Sequence, residues 1–193
     1  MSPGPENVVA RRIAQIVALL LFAAATLWIN YQIKVNVQGG QGGSSVQEMG
    51  NVKVGQPAPD FSVMDLASNR VSLSSFRGQK AVLLDFWASW CGPCRMAMVG
   101  LQAIQDQYKG QGLEILSLNQ REPADTVRLF IKRKNYSFHV VLDADGSVGE
   151  KYGVRGIPTM VLVDKKGVIQ WLQVGYSHEE GGLKQAIGGL TKQ

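Results

Sequence analysis

The only two cysteines of this 193-residue chain, Cys91 and Cys94, stand two residues apart in Trp90-Cys91-Gly92-Pro93-Cys94. They end an apolar run, residues 81–90, and open a helix-compatible stretch, residues 95–108. A continuous apolar run with a single acid inside it, Asp85, is the pattern of a central strand buried on both faces. The fold must therefore pass from buried strand to helix with both thiols at the junction. A Cys-x-x-Cys in that position is the signature of a redox pair. A bond between the two would close so short a loop that it could constrain the unfolded chain only slightly. With no further cysteine to build a structural framework, the pair reads as a working disulfide.

The length and the 45% hydrophobic content suit one globular domain with an appendage. The appendage is N-terminal. Arg11-Arg12 precede a 17-residue run without charge, residues 13–29, with Trp28 and Tyr31 at its far end. Such a run predicts a short membrane-spanning helix with an interfacial aromatic belt, and the positive pair predicts the N-terminus inside and the remainder outside. A cleavable signal peptide with Ala23-Ala24-Ala25 as its small-residue site is the rival. The apolar character continues through Leu27-Trp28-Ile29, which favours an uncleaved anchor. The expected organisation is a cytoplasmic tail, 1–12, a signal anchor, 13–31, a flexible Gly-rich linker, 32–50, and a domain, 51–193. The domain would lie outside the cytosol, at a plasma (inner) membrane.

The first 50 residues hold three of the 20 Lys/Arg and two of the 15 Asp/Glu, which leaves the domain at only +4. Its basic residues cluster at Lys132-Arg133-Lys134 and Lys165-Lys166, as on a solvated helix face and a turn, and no nucleic-acid partner is expected. Residues 61–65 and 70–73 read as a β-hairpin. Buried strands are expected over 81–87 and 113–118, a short strand over 138–142, and a second hairpin over 159–163 and 168–174. Helices are expected over 95–108, 123–134 and 145–152 and at the C-terminus, where Leu183, Ala186, Ile187 and Leu190 form a stripe. This order predicts an α/β fold with three layers, helices on a sheet.

Four stretches together carry a family resemblance. They are Val54-Gly55-Gln56-Pro57-Ala58-Pro59-Asp60-Phe61, Leu73-Ser74-Ser75-Phe76-Arg77-Gly78, residues 83–95 (LLDFWASWCGPCR) and Tyr152-Gly153-Val154-Arg155-Gly156-Ile157-Pro158-Thr159. The chain resembles the thioredoxin superfamily, and within it the membrane-anchored TlpA/ResA-like thiol-disulfide oxidoreductases of bacteria. The resemblance implies a thioredoxin-like α/β/α fold with an N-terminal β-hairpin. Residues 119–158, longer than a minimal thioredoxin there, fit an inserted helix and strand. It also implies a cis Pro158 facing the cysteines, with the Ile157 backbone free to pair with an extended substrate. Departures from the family pattern are Val99 for a helix-kinking proline, Ala97 for a common glutamate, His139 for a frequent proline, and Ser117 in place of thioredoxin's buried lysine.

Thiol-disulfide exchange needs one nucleophilic thiolate and one resolving thiol. Cys91, at the helix N-terminus, is the expected nucleophile, with a lowered pKa; Cys94, one turn deeper, resolves. Trp90 either shields the pair and contacts substrate or simply packs. Asp85 is the candidate proton acceptor and donor for Cys94, or else an acid satisfied by water or backbone; burial should raise its pKa. Asp143-Ala144-Asp145-Gly146 resembles the opening of a calcium loop, but Val154 stands where its last acid is needed, so a turn is expected. No metal or cofactor is expected. The resemblance implies a reductase of partner disulfides, with apocytochrome c or copper-site proteins as substrates and a membrane thiol transporter of the CcdA/DsbD type as electron donor. Rival readings are a disulfide-forming oxidase and a copper-binding assembly factor using Cys91, Cys94 and His139. Peroxidase chemistry lacks a Thr-x-x-Cys pattern.

Overall fold

The computed structural model describes residues 15–27, 44–177 and 181–191. The tail 1–12, Arg11-Arg12, residues 13–14 and 28–31 of the expected anchor, linker residues 32–43 and His178 lie outside the described residues. Residues 15–27 form a helix, α1, as their uncharged composition predicts. Among the described residues no helix is long and apolar enough to cross a membrane.

The apolar run becomes β6 (Ala81–Trp87), every residue of which is buried. It sits fourth in an eight-stranded sheet of order β1-β10-β9-β6-β7-β8-β4-β5. β7 (Leu113–Gln120) and β8 (His139–Asp143) run parallel to it, while on its other side β9 (Thr159–Val163) pairs antiparallel with it and β10 (Ile169–Val174) pairs antiparallel with β9. The expected N-terminal hairpin, β4 (Ser62–Asp65) with β5 (Arg70–Ser72), pairs onto β8 and closes that edge. Asp65 builds its turn by accepting the Ala67 and Asn69 N–H groups, both at 2.8 Å.

Strand alternation splits the core in two. Leu83, Trp87, Ile115, Val140 and Leu162 face one side with both cysteines, under α2 (Gly92–Tyr108), α3 (Ala124–Lys134) and α5 (Gly181–Thr191). Val82, Leu84, Phe86, Leu116 and Val161 face the other, against α4 (Ser147–Tyr152) and the entry segment with Phe61. This is the expected thioredoxin-like fold, with α3 and β8 as the inserted helix and strand. Asp143 ends β8 and accepts the Val148 and Gly149 N–H groups at 3.0 and 2.8 Å. The acidic turn thus caps the start of α4.

The N-terminal boundary moves. β1 (Ser44–Ser45) pairs antiparallel with β10, and β2 (Glu48–Met49) pairs with β3 (Val52–Lys53). Residues 44–50, expected to belong to the linker, are thus strand and turn. Two-residue strands inside a Gly- and Ser-rich stretch carry no period that could betray them.

Candidate active site

β6 delivers its last side chains to the N-terminus of α2. As expected of a cysteine at the helix N-terminus, Cys91 is the N-cap of α2, with extended backbone (φ −77°, ψ 108°). Its Sγ takes the part usually played by a serine or aspartate oxygen and accepts the Cys94 N–H at 3.2 Å. Pro93 sits in the first turn, where a missing N–H costs nothing. The sulfur that caps the helix faces its positive end.

The two sulfurs are bonded at 2.03 Å, with Cα atoms 5.3 Å apart. Both residues are buried, Cys91 at 4% and Cys94 at 1% exposure. Trp90 is 70% exposed, so ordinary core packing is ruled out for it. The Ile157–Pro158 peptide is cis, as the resemblance implied. The Ile157 carbonyl oxygen lies 3.7 Å from Cys91 Sγ. The Ile157 ledge and the exchanging sulfur are therefore neighbours.

Asp85 occupies the same face of β6 as Leu83 and Trp87, both packed in the layer that holds the cysteines. It is 1% exposed. Ser117, its register partner on β7, donates to Oδ2 at 3.4 Å, and Oδ1 has no hydrogen-bond partner among the described residues. Burial outweighs that one long hydrogen bond and pushes the carboxyl up to about 7. An acid that changes protonation near neutral pH behind a dithiol can hold or release the proton of the resolving thiol.

His139 does not join this group. It shares the β8 face of Val141, on the opposite side of the sheet from the cysteines, two strands from β6. Its Nδ1 lies 3.1 Å from Glu114 and its Nε2 3.6 Å from Asp65. The hydrogen bond to Glu114, helped by both carboxylate charges against partial burial, raises its pKa. A copper site built from Cys91, Cys94 and His139 is thereby contradicted: the sheet separates the donors. No cluster of three metal-ligating side chains occurs among the described residues.

One residue of the site escaped sequence reasoning. Glu122, just past β7, accepts the Ser89 N–H at 2.7 Å, the Ser89 hydroxyl at 2.5 Å and the Asn119 amide at 2.7 Å. It ties down the loop that carries Trp90 and Cys91. No motif announces it, but the parallel register that sets Trp87 beside Asn119 brings the two strand ends together.

The chain matches the Redoxin family over residues 53–187. It is 35% identical to the thiol-disulfide oxidoreductase ResA of Geobacillus thermodenitrificans, over 92% of this chain and 94% of that protein. Identity to ResA of Bacillus cereus is 33%, over 88% of this chain and 92% of that one. A Chlorobium tepidum protein described as a thiol:disulfide interchange protein DsbE shares the fold with a TM-score of 0.68 at 32% identity, over 72% of this chain and 99% of the other. With the disulfide at a helix N-terminus beside a cis proline, these likenesses place the chain in the Redoxin family, as a TlpA/ResA-like thiol-disulfide oxidoreductase of the thioredoxin superfamily.

Proposed function

We propose that this protein is a membrane-tethered, extracytoplasmic reductase of partner-protein disulfides. The observation that carries the redox assignment is the position of Cys91 Sγ. It caps α2, touches the Ile157 carbonyl, and is bonded to a Cys94 that shares its layer with a buried acid.

In the reduced form Cys91 attacks one sulfur of the partner disulfide as a thiolate. A mixed disulfide forms and the partner's other sulfur leaves as a thiolate, which takes up a proton. Asp85, ionised, accepts the proton of the Cys94 thiol. The Cys94 thiolate then attacks Cys91 Sγ, the partner's second thiolate departs, and the Cys91–Cys94 bond closes. Two electrons have passed to the partner. Trp90, exposed beside the pair, and the Ile157–Pro158 ledge hold the partner chain during exchange.

The tether rests on Arg11-Arg12, the uncharged run after them, and the exposed apolar side chains of α1, among them Leu19, Leu20, Leu21 and Phe22. Apolar surface of that kind needs cover, and lipid supplies it. Apocytochrome c or copper-site proteins are the partners that the family resemblance favours, with a CcdA/DsbD-type membrane thiol transporter returning electrons. Equilibration of the protein with glutathione tests the direction. A reductase has a potential near that of thioredoxin, about −270 mV; a value near that of a strong oxidant, about −120 mV, would make the protein a disulfide-forming oxidase instead.

A further inference from the structure

Beside the Ile157 ledge lies a groove of about 320 Å³ lined by Met49, Gly50, Gly153, Arg155, Gly156 and Val174. Thiol exchange alone gives it no task. One wall is the β2–β3 turn, the other the loop between α4 and Pro158. Gly50 and Gly153 meet there backbone to backbone, both at positive φ (52° and 71°). A Cβ on Gly50 would come within 2.6 Å of the Gly153 Cα, and one on Gly153 within 2.7 Å of the Gly50 Cα. Asn51 Nδ2 donates to the Glu150 carbonyl at 3.3 Å and fastens the turn. The N-terminal segment is therefore built against the active-site loop.

The groove is continuous with the redox site. Gly156 adjoins Ile157, and Val174 is level with Thr159, the residue after Pro158. Arg155 is exposed, and among the described residues its side chain makes no ion pair or hydrogen bond. With Cys91 Sγ 3.7 Å from the Ile157 carbonyl, a partner segment whose cysteine has joined Cys91 can run along residues 156–158. At about 3.3 Å per extended residue, its second or third neighbour reaches Arg155. A guanidinium there matches a carboxylate in charge and in shape.

We propose that this groove receives the partner polypeptide flanking the reactive cysteine, and that Arg155 selects partners with an aspartate or glutamate two or three residues from that cysteine. This rests on the oxidoreductase reading and names the class of protein substrate that the same site takes.

The test uses the reduced full chain in neutral detergent and three glutathionylated peptides, alike except for Asp, Ala or Lys two residues from the cysteine, with the series repeated on the cysteine's other side. Stopped-flow rates are followed at low salt, with hydroxyethyl disulfide as a substrate too small to use the groove. In one of the two series the Asp peptide should react about threefold or more faster than the Lys peptide, and added salt should narrow the gap. Arg155→Ala should level the series and Arg155→Glu should invert it, while hydroxyethyl disulfide reacts alike with all three proteins. Equal rates for Asp and Lys peptides in both series, or an order that survives Arg155→Glu, would overturn the groove assignment and leave the oxidoreductase standing. A wild-type dimer in sedimentation that Arg155→Glu disrupts would put a second copy in the groove and overturn it too. Failure to reduce even hydroxyethyl disulfide would instead remove the oxidoreductase reading, and the groove's role with it.

Discussion

Asp85 and Ser117 face each other across the parallel β6–β7 pair, with the Ser117 hydroxyl 3.4 Å from Asp85 Oδ2 and, among the described residues, no hydrogen-bond partner for Oδ1. A carboxylate in that place is short of partners and fully buried. Its folded pKa, about 7, stands above the ordinary 3.8. The unfolded state therefore loses its proton first, and stability falls as pH rises between these values. The cost above pH 7 is about 4 kcal/mol by the linkage relation. Asp85→Asn should match the wild type within about 1 kcal/mol at pH 4 and exceed it by roughly 3–4 kcal/mol at pH 8. Urea denaturation of the oxidised proteins at both pH values measures the gap; a gap that does not change with pH would contradict a raised pKa.

In the proposed mechanism the same carboxyl sets a rate. With Asn at position 85 the Cys94 thiol has no internal base, so release of the mixed disulfide near pH 7 should slow by tenfold or more. Ser117→Ala removes the one hydrogen bond that lowers the Asp85 pKa, so it should move the midpoint of the wild-type pH–rate profile upward. Single-turnover kinetics from pH 5 to 9 checks both, and superimposable profiles for all three proteins would remove Asp85 from the mechanism.

His139 bridges Glu114 on β7 and Asp65 on the β4–β5 hairpin, while Lys80 donates to the other Glu114 oxygen at 2.6 Å. Its pKa is raised, first by the Glu114 hydrogen bond. A raised histidine stabilises the fold fully below its unfolded pKa and loses that contribution as pH rises through the folded value. His139→Gln should therefore cost most near pH 5.5 and progressively less above the ordinary histidine range. Chemical denaturation at pH 5.5 and 8.5 reads the difference, which should narrow at the higher pH.

Glu122→Gln replaces one of two acceptor oxygens with an amide that cannot accept from Ser89. Loss of a charge-assisted hydrogen bond should destabilise the protein by about 1–3 kcal/mol. The loop that holds Trp90 and Cys91 loosens, so the rate of attack on a disulfide should fall while the Asp85-dependent midpoint stays in place. Stability and pH–rate profiles of the variant separate this from an effect on the buried acid.

Much of the fold was legible because local and global signals agree in it. The run 81–87 could only be a central strand, and the surplus of residues before Pro158 pointed to an extra helix and strand. Asp85 was conspicuous as the one acid in that run. What stayed hidden was either non-local or unconventional. Cys91 was legible as the start of α2, but the acceptance of the Cys94 N–H by its sulfur as the cap was not. β1 and the β2–β3 turn gave no periodic pattern. Glu122 meets Ser89 only once two strands lie side by side, and His139 proved to belong to the other face of the sheet. The groove at Arg155 needs three separate segments in place before it exists.

The central claim is that Cys91 attacks and Cys94 resolves. Its most direct test is to challenge Cys91→Ser and Cys94→Ser proteins, each reduced, with a disulfide-bonded protein substrate and to map any covalent adduct by mass spectrometry. The account predicts a one-to-one mixed disulfide on Cys91 that persists in Cys94→Ser, and no adduct in Cys91→Ser. An adduct held by Cys94 in Cys91→Ser, with none on Cys91 in Cys94→Ser, would contradict it.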